Sequence, residues 1–580
     1  MGSMKYEDDT IKIQLKEYDF CEKEVGNLKD PFETNYPILY ILYNTDKKKL
    51  PEAYVGQSYR FDKRMSEHLK SNKKAMMKKI VMIGHDTLNV SAALNIETNL
   101  ISCFVADEKY TVVNRSQIKG SESHNYYDKS YYDEVLFPKI WTRLRDEKIV
   151  KHSVDFLRNK DTFKLSPFRG LSPEQQDLKE KVIDFCKQSL ADTENEHHVF
   201  FIAGEAGTGK SVVLSSIFKT IQDLAEKKEV NEFTDFNQDN NYLLVNHNEM
   251  LKTYKSIAES LPNLKKKNFM KPTSFINDID KGKREKADIV LVDESHLLLS
   301  TKDKYNNFEF ENQLEEVIKR SKVTIVVFDE KQVLKLKSHW NVDSLVEIKN
   351  KYPIHEEYHL TTQFRMKADP EIVHWVDSFV NRKILPFPKV TKREKTESEK
   401  RFGDKDFDFR FFSSAEDMRM EIKAKNQKFG LSRIVSTFDY THKKDGKDYL
   451  VEEGDFSAPW NRTDYKKSWA EEEATINEVG SIYTIQGFDL NYVGVILGPS
   501  IGYDAEKNEL KIDIEKYKDS EAFKSRDGIE NIDKVKEQII LNSINVLLKR
   551  GINGLYIYAS DDKLREKLMT IQKENSKWTN

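Results

Sequence analysis

The stretch His198–Phe218, "HVFFIAGEAGTGKSVVLSSIF", decides how the rest of the chain is read. Apolar residues Val199–Ala203 run into a turn with glycines at 204, 207 and 209, and apolar residues at helical spacing follow. A buried strand, a tight turn and a helix in this order form the setting in which G-x-x-x-x-G-K-[ST] binds a phosphate chain. The chemistry accounts for each residue type. Gly204, Gly207 and Gly209, with Thr208 between them, let the backbone curl so that successive N–H groups face phosphate oxygens. The helix start adds its positive end. Lys210 is spaced to reach the β and γ phosphates, and the Ser211 hydroxyl to ligate a divalent ion. The implied cofactors are ATP and Mg²⁺, with Mn²⁺ as the alternative ion.

Outward from this loop, "ADIVLVDESH" carries Asp293 and Glu294 to the end of a second apolar run. Ligands collect at the carboxyl ends of strands in open α/β sheets. Asp293 is therefore expected to hold the metal and Glu294 to orient or deprotonate the attacking water. Further short β-branched runs occur at 242–246, 323–329, 433–437, 493–498 and 554–559, separated by helical segments. This alternation predicts parallel sheets with crossover helices.

Bulk properties bound the alternatives. The chain has 580 residues, and 94 Lys plus Arg against 97 Asp plus Glu leave a net charge of -3, so local patches must decide the question of a polyanionic partner. Cys21, Cys103 and Cys186 are far apart and form no CxxC pair, which supports neither a zinc knuckle nor a disulfide framework. No apolar run approaches the ~18 residues of a membrane span. Met1–Ser3 reads as a cloning remnant, no signal-peptide core follows, and a cytoplasmic location is expected. Charged stretches at 226–241, 388–406 and 503–535 read as solvated insertions, and the Tyr- and Ser-rich segment 121–134 as a loop.

The order of motifs from about 165 to 575 resembles a superfamily 1 helicase, and more narrowly the Schlafen-like helicase domain found in bacterial proteins. "LSPEQQ" places Gln175 where such proteins read adenine, and "VVFDEKQVL" places Asp329 and Gln332 where they sense the γ-phosphate. "LTTQFRM" puts Gln363 and Arg365 in the next nucleotide-contacting motif. "GSIYTIQGFDL" puts Thr484, Gln486 and Gly487 in the motif that couples ATP to nucleic acid. In "LLKRGINGLYIYAS", Arg550 matches the arginine finger, with Lys549 where a Thr is more usual. Asn246, His247, Lys265–Lys267 and Lys271–Phe275 fall where the first lobe usually touches the strand.

The first 135 residues carry a second resemblance. "YPILYILYN" and "AYVGQS" resemble the two signature strands of GIY-YIG nucleases, with Ile38 where the first signature has Gly. Downstream, Arg64 and His68 lie four apart and share a helix face. Glu97 interrupts an apolar helical stripe of Ala93, Leu100, Ile101 and Phe104, a costly place for an unpaired carboxylate. The resemblance implies that Glu97 is the single metal ligand and that Arg64 stabilises charge on the phosphorus. It further implies that Tyr40, ahead of Tyr54, helps deprotonate water, and that Asn114 closes the motif set.

The expected architecture is α/β: an N-terminal extension (1–35), a small α+β GIY-YIG nuclease domain (36–135), a connector (136–165) and two RecA-like parallel-sheet lobes (166–365 and 366–575). The expected activity is ATP-dependent cutting of DNA, with the motor feeding or gating the nuclease, and antiphage defence as the cellular setting. Three rivals stay open: a nucleic-acid-sensing ATPase switch that does not unwind, a binding module with a degenerate nuclease, and an RNA-directed nuclease. A homo-oligomer or partner protein also stays open.

Overall fold

The computed structural model describes residues 12–576 apart from 30–33, 45–49, 72–73, 75, 115–125, 205–206, 227–239, 262, 304–306, 330–335, 337–341, 364–365, 389–406, 444, 446, 463–464, 466–468, 486–487 and 525–530. Three main sheets organise the chain. The first is formed by β1 (Gln14–Asp19), β2 (Ile38–Tyr43), β3 (Glu52–Ser58), β4 (Lys79–Gly84) and β5 (Thr111–Val112), in the order β1-β4-β2-β3-β5. Its pairings are antiparallel except β3 with β5. β2, "ILYILY", is buried along its whole length. Its alternation sends Leu39, Ile41 and Tyr43 into one core and Ile38, Tyr40 and Leu42 into another. Helix Phe61–Leu69 covers the second face and helix Val90–Asp107 the first.

Residues 14–19, assigned by sequence to an extension, are thus a strand of this sheet: β1 pairs with β4 from Gln14↔Gly84 to Asp19↔Lys79. β4, "KIVMIG", escaped the sequence reading, although it is the strand that joins β1 to β2. The Tyr-rich segment expected to be a loop turns helical at Lys129 and continues into helix Phe137–Asp146.

The second sheet contains β6 (His198–Gly204), β7 (Asn241–Val245), β8 (Phe269–Met270), β9 (Ala287–Asp293), β10 (Ser321–Phe328) and β11 (His355–Leu360), in the order β11-β6-β10-β9-β7-β8. All its pairings are parallel. The third has β12 (Asp408–Phe411), β13 (Ser432–Ser436), β16 (Val479–Gly480), β17 (Leu490–Leu497) and β20 (Gly551–Ala559), in the order β12-β20-β17-β13-β16, again parallel. Two antiparallel hairpins decorate it: β14 (Leu450–Glu453) with β15 (Phe456–Pro459), and β18 (Ile501–Asp504) with β19 (Glu509–Ile512). The second hairpin overlaps the start of the stretch expected to be a charged insertion, 503–535. Most of 226–241 and 388–406 falls outside the described residues.

The cores do not follow the three-sheet division. One apolar cluster runs from Leu39 in β2 through Trp141, Leu157 and Leu178 to Phe200, Tyr254 and Leu360. One face of the first sheet, the connector helices and one face of the second sheet therefore share a single interior. The third sheet has its own cluster, from Leu336 to Ile571.

Candidate functional site

The phosphate loop sits where β6, β9 and β10 end. Gly207 and Gly209 have φ of 91° and 78°, left-handed values that favour glycine. A Cβ on Gly209 would lie 2.4 Å from Gln175 Nε2. That amide closes the loop from below. Its Nε2 donates to Thr208 O (2.9 Å), and its Oε1 accepts from Ser172 N (3.0 Å) in a capping box that starts helix Pro173–Ala191. Gln175 thus ties the loop to the helix cap.

Lys210 Nζ donates to Gly204 O (2.6 Å) and to Asp329 Oδ2 (3.1 Å). Ser211 Oγ donates to Asp293 Oδ1 (3.2 Å), which also accepts from Glu294 N (2.9 Å). Asp293 Oδ2 accepts from the buried Tyr254 hydroxyl at 2.7 Å. Burial, with Glu294 beside it, raises the Asp293 pKa above the usual carboxylate range. Glu294 takes a left-handed φ of 49°, strain of order 1–3 kcal/mol for a residue with a side chain. This conformation puts its Oε2 3.1 Å from His296 Nε2. Burial lowers the His296 pKa to about 4, so the ring is neutral near pH 7.

The residues present fit a metal–triphosphate complex. A hydroxyl and a carboxylate meet in a buried pocket, a lysine ammonium stands beside them, and two left-handed glycines shape the loop. Ser211 and Asp293 would hold the metal; Lys210 and the loop N–H groups would hold phosphates.

Just before β20 of the third sheet, Arg550 is buried, donates to Phe488 O (3.1 Å) and acts electrostatically on His296. Its neighbour Lys549 pairs with Asp377 at 2.6 Å. Thr484 closes its own turn, exchanging hydrogen bonds with Ser481 N and O. Gln363 Oε1 accepts from Met366 N. Gln332, Arg365, Gln486 and Gly487 lie outside the described residues. Glu174, which the sequence reading passed over, clamps the segment leading to Gln363: it accepts from Thr361 N (2.8 Å), Thr361 Oγ1 (2.9 Å) and Thr362 N (3.2 Å). Of the expected strand contacts, Asn246 donates to Leu297 O, His247 caps helix Asn248–Glu259, and Thr273 Oγ1 accepts from Gln313.

The N-terminal pocket gathers Tyr40, Tyr54, Arg64, His68 and Glu97. Tyr40 faces Gly56 across the β2–β3 pair, where a Cβ would lie 2.4 Å from its Cζ. The missing side chain makes room for the ring. Tyr40 Oη is 2.8 Å from His68 Nε2, and Arg64 reaches both phenols. Desolvation raises both phenol pKa values and lowers that of His68 to about 3. Glu97 is buried on helix Val90–Asp107, and burial raises its pKa to about 8 against the opposing pull of Arg64 and Lys74. Among the described residues no group of three or more His, Cys, Asp and Glu converges, so Glu97 would hold a cation alone, beside water and phosphate oxygens.

Lys74 is the residue that sequence reasoning missed here. Its Nζ lies 3.5 Å from the Tyr54 ring centroid and acts on both Glu97 and His68. No periodicity in its loop points to it. Asn114 has a positioning role: its Oδ1 accepts from Val55 N (3.0 Å) and its Nδ2 donates to Val55 O (2.7 Å). It pins β3 between Tyr54 and Gly56.

A parallel sheet ending in a glycine loop, with Lys210 beside Asp329 and Ser211 beside Asp293, followed in the chain by a second parallel sheet, has the architecture of a two-lobed nucleoside-triphosphatase. Residues 197–561 match the family described as Schlafen group 3, DNA/RNA helicase domain, and the chain belongs to it. An uncharacterized protein of Saccharomyces cerevisiae is 41% identical over 421 residues, covering 70% of this chain and 91% of that protein. Membership implies an ATPase that acts on nucleic acid and uses ATP with a divalent metal. No helix among the described residues is long and apolar enough to cross a membrane.

Proposed function

We propose that the chain couples a nucleic-acid-dependent ATPase to a GIY-YIG-type nuclease pocket that cuts phosphodiesters, with DNA as the expected substrate. One observation carries the nuclease half: a buried carboxylate, Glu97, shares a pocket with Arg64, Lys74 and a Tyr40–His68 hydrogen bond. Arginine suits a phosphate because its fork pairs two oxygens. Glu97 would hold Mg²⁺ or Mn²⁺, which supplies charge neutralisation at the leaving oxygen. With its proton on Nδ1, His68 accepts from the Tyr40 phenol. This bond orients the phenol; with His68 held low as a base, Arg64 and a bound cation would have to favour the phenolate for Tyr40 to take a proton from water.

In the ATPase, Lys210 and Arg550 would place positive charge against the γ-phosphate from the two lobes, and Glu294 would orient water. Gating of the pocket by nucleotide is favoured over feeding by a separately moving motor, because helix Val90–Asp107, which carries Glu97, and the opposite face of the pocket's sheet share one core with the first lobe. The connector also touches the second lobe, through Lys164 Nζ to Asp489 O at 3.4 Å. Antiphage defence rests on analogy with other fused nucleases. The yeast relative places similar chains outside bacteria as well.

The test is cleavage of plasmid DNA, linear DNA and RNA in Mg²⁺ without nucleotide, with ATP and with a non-hydrolysable analogue. Cutting that is lost in Glu97→Gln supports the nuclease. Suppression by the analogue without ATP turnover supports gating. Intact DNA and RNA under every condition would sink the nuclease half and leave the ATPase.

A further inference from the structure

The Asp293 carboxylate has two oxygens with different surroundings. Oδ1 accepts from Ser211 Oγ and Glu294 N, on the side where the phosphate loop lies. Oδ2 points into the protein and accepts from Tyr254 at 2.7 Å. Tyr254 is 1% exposed, and its ring stacks on Phe269 with centroids 5.8 Å apart and planes 15° from parallel. The hydroxyl is therefore delivered by a packed, inflexible ring.

Helix Asn248–Glu259, which carries Tyr254, is fixed at its other end by the N-terminal domain. Ser256 Oγ donates to Glu108 Oε1 at 2.9 Å, and Ser260 O accepts from Val112 N at 2.9 Å. Val112 ends β5, two residues before the Asn114 that pins β3.

We propose that Tyr254 is a positioning residue of the ATPase, and that the N-terminal domain braces it through Glu108 and Val112. The inference rests on Ser211 and Asp293 being the metal end of an ATP site. Oδ2 is anchored by the hydroxyl, so the carboxylate cannot rotate and Oδ1 stays turned toward Ser211. Such outer-shell partners fix ligand orientation, and losing one typically weakens metal binding 10–100-fold. The geometry makes the N-terminal domain part of what shapes the metal site, whatever chemistry that domain performs.

Tyr254→Phe removes the hydroxyl and keeps the ring packing. In the full-length chain, binding of a non-hydrolysable ATP analogue is measured by calorimetry in EDTA and across a Mg²⁺ titration, with a thermal melt to verify folding. The expected result is unchanged affinity in EDTA and a half-saturating Mg²⁺ concentration raised on the order of tenfold. In turnover, kcat falls at low Mg²⁺ and recovers at high Mg²⁺ or Mn²⁺, while the KM for the metal–nucleotide complex at saturating ion is unchanged. Ser256→Ala is expected to shift the Mg²⁺ requirement in the same direction by a smaller factor.

A folded Tyr254→Phe chain with wild-type Mg²⁺ dependence would overturn the positioning role. A shift in Tyr254→Phe with none in Ser256→Ala would overturn the brace from the N-terminal domain. Failure of the wild-type chain to bind the analogue would remove the ATP-site reading and the inference with it, and is distinguished by the wild-type titration alone.

Discussion

Asp293 and Glu97 are both buried carboxylates at proposed metal positions, and their surroundings are opposite. Asp293 accepts from Ser211, Glu294 N and Tyr254. Around Glu97 the influences are the cations Arg64 and Lys74, which act at a distance and do not overcome burial. The first carboxylate is oriented before any ion arrives. The second keeps its proton near neutral pH and becomes a ligand only when a cation displaces that proton. Proton release on metal binding should therefore come chiefly from the N-terminal pocket.

Removing the carboxylates' chemistry should separate the two sites most strongly. Glu294→Gln should reduce ATP turnover by about 10²–10⁴-fold, the usual worth of a positioned acid or base, with analogue binding retained. Glu97→Gln should reduce cutting on a similar scale and leave ATP turnover intact; loss of both activities together would point to misfolding. Treatment with EDTA should stop both reactions, and restored Mg²⁺ should return both.

A pH series sharpens the contrast further. The Glu97 pKa is about 8 in the folded chain against 4.5 for the free group. The folded state thus keeps a proton across a window in which the unfolded state has lost it. This contribution to stability is present below pH 4.5 and is lost as pH rises through 8. Glu97→Gln should flatten that slope in thermal melts. Added Mg²⁺ should raise the melting temperature of the wild type more at about pH 8.5 than at about pH 6.

Smaller effects come from the supports. Gly56→Ala would drive a methyl against the Tyr40 ring and should destabilise the chain by about 1–3 kcal/mol, read as a lower denaturation midpoint. Asn114→Ala strands the N–H and C=O of Val55 and should have an effect of similar or lesser size, about 1–3 kcal/mol.

The sequence revealed most where chemistry is local. β6, β9 and β10 are short apolar runs that end in reactive residues, a pattern that buried parallel strands produce directly. β1, "QLKEYD", carries no such pattern, because it is an edge strand with mostly half-exposed residues, and its register comes from β4. The structural task of Gln175 does have a signal in the sequence: Ser172-x-x-Gln175 is a capping-box spacing. Tyr254, Lys74 and Glu174 had no such signal. Each acts on residues distant in the chain or reached only through folding, Tyr254 on Asp293, Lys74 on Glu97 and Glu174 on Thr361. Such proximities belong to tertiary structure and leave no mark in spacing.

The apolar cluster that joins Leu39 to Leu360 has a consequence for inheritance. A module that ends at a polar surface can be gained, lost or exchanged by recombination at its linker. Here a break near residue 165 would leave Leu178 and Tyr254 without the neighbours that Leu100, Trp141 and Leu157 help provide. The N-terminal unit and the first lobe are therefore two halves of one hydrophobic interior, while the second lobe keeps an interior of its own.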